Sequence, residues 1–207
     1  MIKIWGRNNS VNVQKVMWCI GELALRHQRY DAGLAHGQNR EDWYLQLNPN
    51  GLIPLIDDAG FTLWESNAIV RYLAARYDTS GQLYPADPCE RAHADRWMDW
   101  QLTVLSPPLT TIFWSLIRLP PEQRDETAFA AAVSKCNDVF TLLDQHLSRH
   151  PFVGGPHFTM GDIPVGAMAY RWYSLPLEHP ELPHLRAWYE RLCERPAYRE
   201  HVMLPLT

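Results

Sequence analysis

Apolar positions along the first third of the chain change period several times. Ile2 and Ile4 alternate with polar or outward-facing residues before Gly6, which predicts a short strand. From Asn12 to Leu25 the apolar residues Val13, Val16, Met17, Ile20, Leu23 and Leu25 recur largely at helical spacing. Gln28 to Leu34 reads as a second strand, followed by a polar loop at 36–39 and a short polar helix ending at Leu47. Leu52 to Asp57 is an apolar run interrupted by Pro54. Asp58-Ala59-Gly60 is a turn signal, so Phe61 to Trp64 pairs with that run as a hairpin. Ser66 then reads as the cap of a helix carrying Ile69, Val70, Leu73 and Tyr77. The order is β-α-β-α-β-β-α.

The pattern changes at 78–88, where Pro, Gly and Asp cluster as in a linker, and nothing beyond it reads as strand. A long helix is expected from Cys89, and Pro107-Pro108 must interrupt or kink it, because proline lacks the N–H and clashes with the preceding turn. Further helices are expected over 125–148, 160–173 and 185–194. Thr159 suits an N-cap for the second of these. Asp162 stands where its carboxylate can reach back to the Thr159 N–H, with Phe158 and Ile163 placed as a hydrophobic staple. Pro164 is expected to distort that helix near its start. The fold class is therefore α/β plus all-α, with domains at 1–78 and 89–207 joined by 79–88.

Composition narrows the function. A formal charge of −4 with no basic block gives no nucleic-acid or membrane-surface footprint. No run reaches the roughly 18 apolar residues of a membrane helix, and the opening Met-Ile-Lys-Ile-Trp-Gly reads as a mature strand rather than a signal peptide. Cys19, Cys89, Cys136 and Cys193 form no CxxC pair, which points to a reducing compartment, the cytoplasm. His146 and His150 are four apart, but without a third ligand they do not make a metal site. No metal is expected. Nine Trp and nine Tyr need deep burial or an aromatic cleft.

Two segments suggest chemistry. In Asn48-Pro-Asn-Gly-Leu-Ile-Pro-Leu-Ile-Asp, a proline in an apolar strand breaks the ladder. Either Ile53–Pro54 is cis, turning the Ile53 N–H and C=O outward to pair with a bound peptide, or Pro54 is an ordinary trans residue on an edge strand. In Trp64-Glu65-Ser66-Asn67, the Ser66 hydroxyl and the helix start can hold a carboxylate while Glu65 meets an adjacent ammonium. A plain N-cap is the simpler role for Ser66.

Together with the β-α-β-α-β-β-α order, the linker and Phe158-Thr-Met-Gly-Asp162, these segments make the whole chain resemble the glutathione transferases. That family has a thioredoxin-like N-terminal domain and an all-helical C-terminal domain. The resemblance implies that Ile53, preceding the family's cis-proline at Pro54, pairs with the cysteinyl backbone of glutathione, and that Glu65 and Ser66 grip its γ-glutamyl group. It implies a cytosolic detoxification enzyme, commonly a homodimer, with glutathione as co-substrate. The thiolate would attack a hydrophobic electrophile or reduce a peroxide or disulfide.

The thiol-activating residue falls in Gly6-Arg-Asn-Asn-Ser10-Val-Asn12. Ser10 aligns with the serine or threonine of theta-, delta- and nu-like relatives, and Asn12 with the helping asparagine of nu-like bacterial members. Each could also be only a helix cap. A free thiol of pKa ~8.5 is only about 3% thiolate at pH 7, and lowering it by ~2 units takes roughly 2.7 kcal/mol. A donor at a helix start can supply much of that. The loop holds no tyrosine and no cysteine, which argues against tyrosine-type activation and mixed-disulfide chemistry.

Gln38, Asn39 and Arg40 match the region holding the glycine end of glutathione. Gly51 departs from the family, where many relatives carry a side-chain donor; this favours the alternative of an inactive glutathione-binding or interaction module. Trp97, Trp100, Phe113 and Trp114 are candidates for the electrophile pocket, with core packing the plainer role for each.

Overall fold

The computed structural model describes all 207 residues. Ile2 and Ile4 point into the core of the N-terminal unit, and this makes the first strand, β1 (Ile2–Trp5), central. It pairs in parallel with β2 (His27–Tyr30) and antiparallel with β3 (Leu55–Asp58), which pairs antiparallel with β4 (Phe61–Trp64). The sheet order is β2-β1-β3-β4. β3 begins after Pro54, so the proline lies outside the ladder that it would have broken. β2 is shorter than the sequence suggests and ends at Tyr30.

Helices α1 (Val11–Glu22) and α3 (Ser66–Tyr77) pack together, while α2 (Asp42–Leu47) is short and mostly exposed. Every residue of α1 from Val13 to Ile20 is buried, Gln14 and Lys15 included, so the helix is enclosed rather than half-solvated. One compact unit comprises Met1–Tyr84 together with Ala197–Leu204. The returning segment includes most of α9 (Pro196–His201), whose Tyr198 ring meets Trp18 edge-on at 4.5 Å. The reading of 89–207 as one block did not include this return.

The second unit, Pro85–Pro196 with Pro205–Thr207, is helical. Asp87 caps α4 (Pro88–Trp100), its carboxylate accepting from the Cys89 and Glu90 N–H groups. Pro107 and Pro108 do not end this helical run. A π-type turn at 101–105 precedes α5 (Ser106–Phe113) and rearranges the ladder just where the prolines remove donors. Asp125 caps α6 (Glu126–Leu147), its carboxylate accepting from the Ala128 N–H.

Next, α7 spans Asp162–Ser174 and α8 Pro183–Cys193. α7 starts two residues later than its spacing predicts, and this accommodates Pro164. As the third helical residue, it sits where an N–H has no intrahelical partner to lose. Asp162 is fully buried and joins three segments. Its carboxylate accepts from the Thr159 and Val153 N–H groups and the Trp188 indole, each at 2.9 Å. Burial pushes its pKa up to about 6, against the opposing pull of those donors. No helix is long and apolar enough to cross a membrane.

Candidate active site

Behind β1 the chain must turn tightly. A Cβ at Gly6 would lie 2.4 Å from Val13 Cγ2 and 3.5 Å from Ile53 Cβ, so only glycine lets this loop run between α1 and the Ile53 segment. The loop then delivers Ser10 to the N-cap position of α1, 8% exposed. An N-cap serine ordinarily accepts from an N–H of the first turn; the Ser10 hydroxyl makes no such bond. Its main chain is fixed on both sides, by Ser10 N–H to Arg7 O and Gln14 N–H to Ser10 O. The hydroxyl is thus held at a helix N-terminus without a capping role.

The Ile53–Pro54 bond is cis. Tyr44 Oη and Asn48 Nδ2 both donate to Leu52 O at 2.7 Å, and β3 starts at Leu55. Between these anchored residues the Ile53 N–H and C=O take part in no hydrogen bond of the fold.

At the start of α3 the structure amends the sequence reading. Ser66 is the first helical residue, and Glu65 holds the cap position. Glu65 is exposed and has φ 72°, ψ 110°, a conformation that costs a residue with a Cβ about 1–3 kcal/mol. Ser66 is buried; its Oγ donates to Asn12 Oδ1 at 3.3 Å and accepts from Lys15 Nζ at 3.5 Å. Asn12, exposed on the first turn of α1, is thereby tied to Ser66. Lys15 also donates to Asn67 Oδ1 at 3.3 Å. Sequence reading missed Lys15, since a single lysine on an amphipathic helix ordinarily faces solvent.

In the third part of the site, Gln38 has φ 64° and its amide nitrogen donates to Asp31 O, so that donor already has a partner within the loop. Asn39 Nδ2 donates to Gly51 O at 2.7 Å. A Cβ at Gly51 (φ +59°) would lie 2.8 Å from Arg40 Nη1 and 2.9 Å from Asn39 O. The Arg40 guanidinium, on an exposed residue, occupies the space where a residue 51 side chain would begin.

The four aromatic candidates separate by environment. Trp97 and Phe113 are buried: Trp97 meets Trp100 and His146, and the Arg171 guanidinium lies 3.9 Å from the Phe113 ring centroid. Trp100 is half-buried. Trp114 is 50% exposed and lines a hollow of about 320 Å³ with Thr110, Thr111 and Leu119. Cys19 on α1 is core, and burial pushes its thiol far above the usual range, so it is no nucleophile.

The fold and site define a thioredoxin-like domain joined to a helical one. The glutathione S-transferase N-terminal domain profile matches residues 9–76, and the C-terminal domain profile matches residues 126–191. The chain is 43% identical to glutathione S-transferase GstB of Escherichia coli over the full length of both, and 32% identical to rat glutathione S-transferase theta-1 over 80% of this chain and 71% of that protein. The theta class glutathione S-transferase of Xanthomonas axonopodis pv. citri, solved with glutathione bound, superposes with a TM-score of 0.95 at 46% identity, covering 100% of this chain and 99% of that one. The chain belongs to the glutathione S-transferase family.

Proposed function

We propose that Ser10 activates the thiol of glutathione in this chain, and that the tripeptide lies across the N-terminal unit from Ser66 to Arg40. The chain is a glutathione transferase. The γ-glutamyl carboxylate meets the Ser66 hydroxyl and the orphan N–H groups of α3, with Glu65 facing the ammonium. The cysteinyl backbone pairs with the Ile53 N–H and C=O. Asn39 and Arg40 serve the glycine end, Arg40 supplying the cation that Gly51 cannot.

One observation carries the assignment of Ser10: a hydroxyl at a helix N-terminus that does not cap its own helix. It can donate to sulfur, and with the helix dipole it stabilises the thiolate over the thiol. The thiol proton leaves to solvent. In conjugation the sulfur lone pair forms a bond to an electrophilic carbon as the leaving group departs with its electron pair; with a peroxide or disulfide, the sulfur attacks one O or S, the O–O or S–S bond breaks, and the far O or S leaves with that pair. Trp100 and Trp114 are the aromatic surfaces with exposure to offer a hydrophobic electrophile.

The enzyme works in the cytoplasm in detoxification, in keeping with four cysteines outside any disulfide. It works as a homodimer, and exposed Leu52 is apolar surface for a second copy. Calorimetric titration with glutathione, followed by turnover of a chlorodinitrobenzene-type electrophile, tests the reading. Uptake with turnover is expected. Uptake without turnover on any electrophile, peroxide or disulfide would make the chain a binding module.

A further inference from the structure

The Lys15 ammonium is 1% exposed, on a helix position whose packing a methionine would satisfy without burying a charge. Two of its acceptors, Ser66 Oγ at 3.5 Å and Asn67 Oδ1 at 3.3 Å, belong to the first turn of α3. An ammonium has only donors, so its contact with Ser66 fixes the direction of the serine's own hydrogen bond. Ser66 has one proton; with a lone pair held by Lys15, that proton must go to another acceptor. In this structure the acceptor is Asn12 Oδ1, at 3.3 Å.

We infer that Lys15 is a positioning residue for substrate. It presets the Ser66 hydroxyl as a donor and places positive charge behind it, so that an α-carboxylate replaces Asn12 Oδ1 as the acceptor. This rests on the reading of Glu65 and Ser66 as the γ-glutamyl grip, and deepens it. Selection at this end is then for the amino acid's carboxylate and not for the peptide in general. A neutral side chain at 15 would leave Ser66 free to rotate and accept instead, and would remove the charge opposite the carboxylate.

The test compares Lys15→Met with the wild-type enzyme on two ligands: glutathione, and 4-aminobutyryl-Cys-Gly, which lacks only the α-carboxylate. Wild type is expected to prefer glutathione. In Lys15→Met the Kd for glutathione rises about tenfold while that for the analogue stays unchanged, a difference no general loosening of α1 and α3 would give. An equal loss for both ligands, or no loss for either, overturns the inference. Should wild type bind no glutathione at millimolar concentration, the parent reading fails and this one with it. A measurement on the wild-type enzyme needs no variant to fold: the ¹⁵N resonance of the Lys15 side chain shifts on adding glutathione and not on adding the analogue. The same shift with both ligands overturns it again.

Discussion

The Arg40 guanidinium stands 2.8 Å from the point where a Cβ on Gly51 would lie, so the two positions share one space. Here the charge on 40 and the missing side chain at 51 are one arrangement. Gly51→Ala is expected to lower stability by about 1–2 kcal/mol, from the positive φ alone. It should also weaken glutathione binding, because the new methyl group meets Asn39 O, which is backbone and cannot swing away. Thermal melting and calorimetry on the same preparation read both effects.

If Arg40 holds the glycine carboxylate, Arg40→Ala raises the Kd for glutathione about tenfold, the range for a hydrogen bond to a charged group. The dipeptide γ-Glu-Cys has no glycine to hold. Its affinity should be the same for wild type and variant, and a parallel loss would place Arg40 elsewhere in the site.

Ser10→Ala separates chemistry from binding. Its hydroxyl makes no capping bond, so the variant should fold with α1 intact and bind glutathione almost unchanged. Turnover near neutral pH should fall about 100-fold, the scale for removing one donor from a developing anion. The bound thiol returns toward its free pKa of ~8.5, so the variant's rate keeps climbing up to about that pH whereas wild type reaches its plateau earlier. Matching pH profiles would exclude Ser10 as the sulfur's donor.

Much of the candidate site's local geometry is legible in the sequence because its parts are local. Glu65-Ser66 is adjacent in the chain, and the Leu55–Trp64 hairpin follows from a turn signal between two apolar runs. What is not legible is long-range. Lys15 meets α3 across 51 residues, and nothing in the spacing of α1 says that all its sides are covered. The return of Ala197–Leu204 to the first unit rests on Tyr198 and Val202, too few apolar residues to form a period. The Gln38 donor escaped for the opposite reason: its partner, Asp31 O, is a nearby carbonyl, which sequence cannot place.

Asp58 should make the N-terminal unit sensitive to acid. Burial alone would raise its pKa, but the Tyr77 and Tyr72 hydroxyls, at 2.6 and 2.7 Å, and the Arg76 guanidinium hold it below the usual carboxylate value. The folded state therefore prefers the carboxylate more strongly than the unfolded chain does. Its stabilisation is full above the unfolded pKa of about 4 and is lost as pH falls through the lower, folded value. Asp58→Asn is expected to destabilise by about 1–2 kcal/mol near neutral pH and to flatten the acid limb of the stability curve. Urea denaturation across the acid range measures the two slopes.

Asp162 predicts the opposite slope. Burial raises its pKa to about 6, so the folded state binds its proton more tightly than the unfolded chain. Its contribution to stability is fully present below the unfolded pKa and declines as pH rises to about 6, after which it is flat. At neutral pH the group is a carboxylate, and its partners, the Val153, Thr159 and Trp188 N–H groups and the Thr159 hydroxyl, can all donate to it. Asp162→Asn keeps the shape but turns an NH₂ toward these donors, leaving at least one buried N–H unsatisfied. The expected loss is roughly 2–4 kcal/mol, from one or two orphaned groups next to a lost charge. Because the Asp162 carboxylate links Val153, the α7 start and α8, the loss should appear as faster amide exchange at Val153 and Thr159 even where the melting transition remains single. Unchanged exchange there would mean that the helical unit does not depend on this carboxylate for its cohesion.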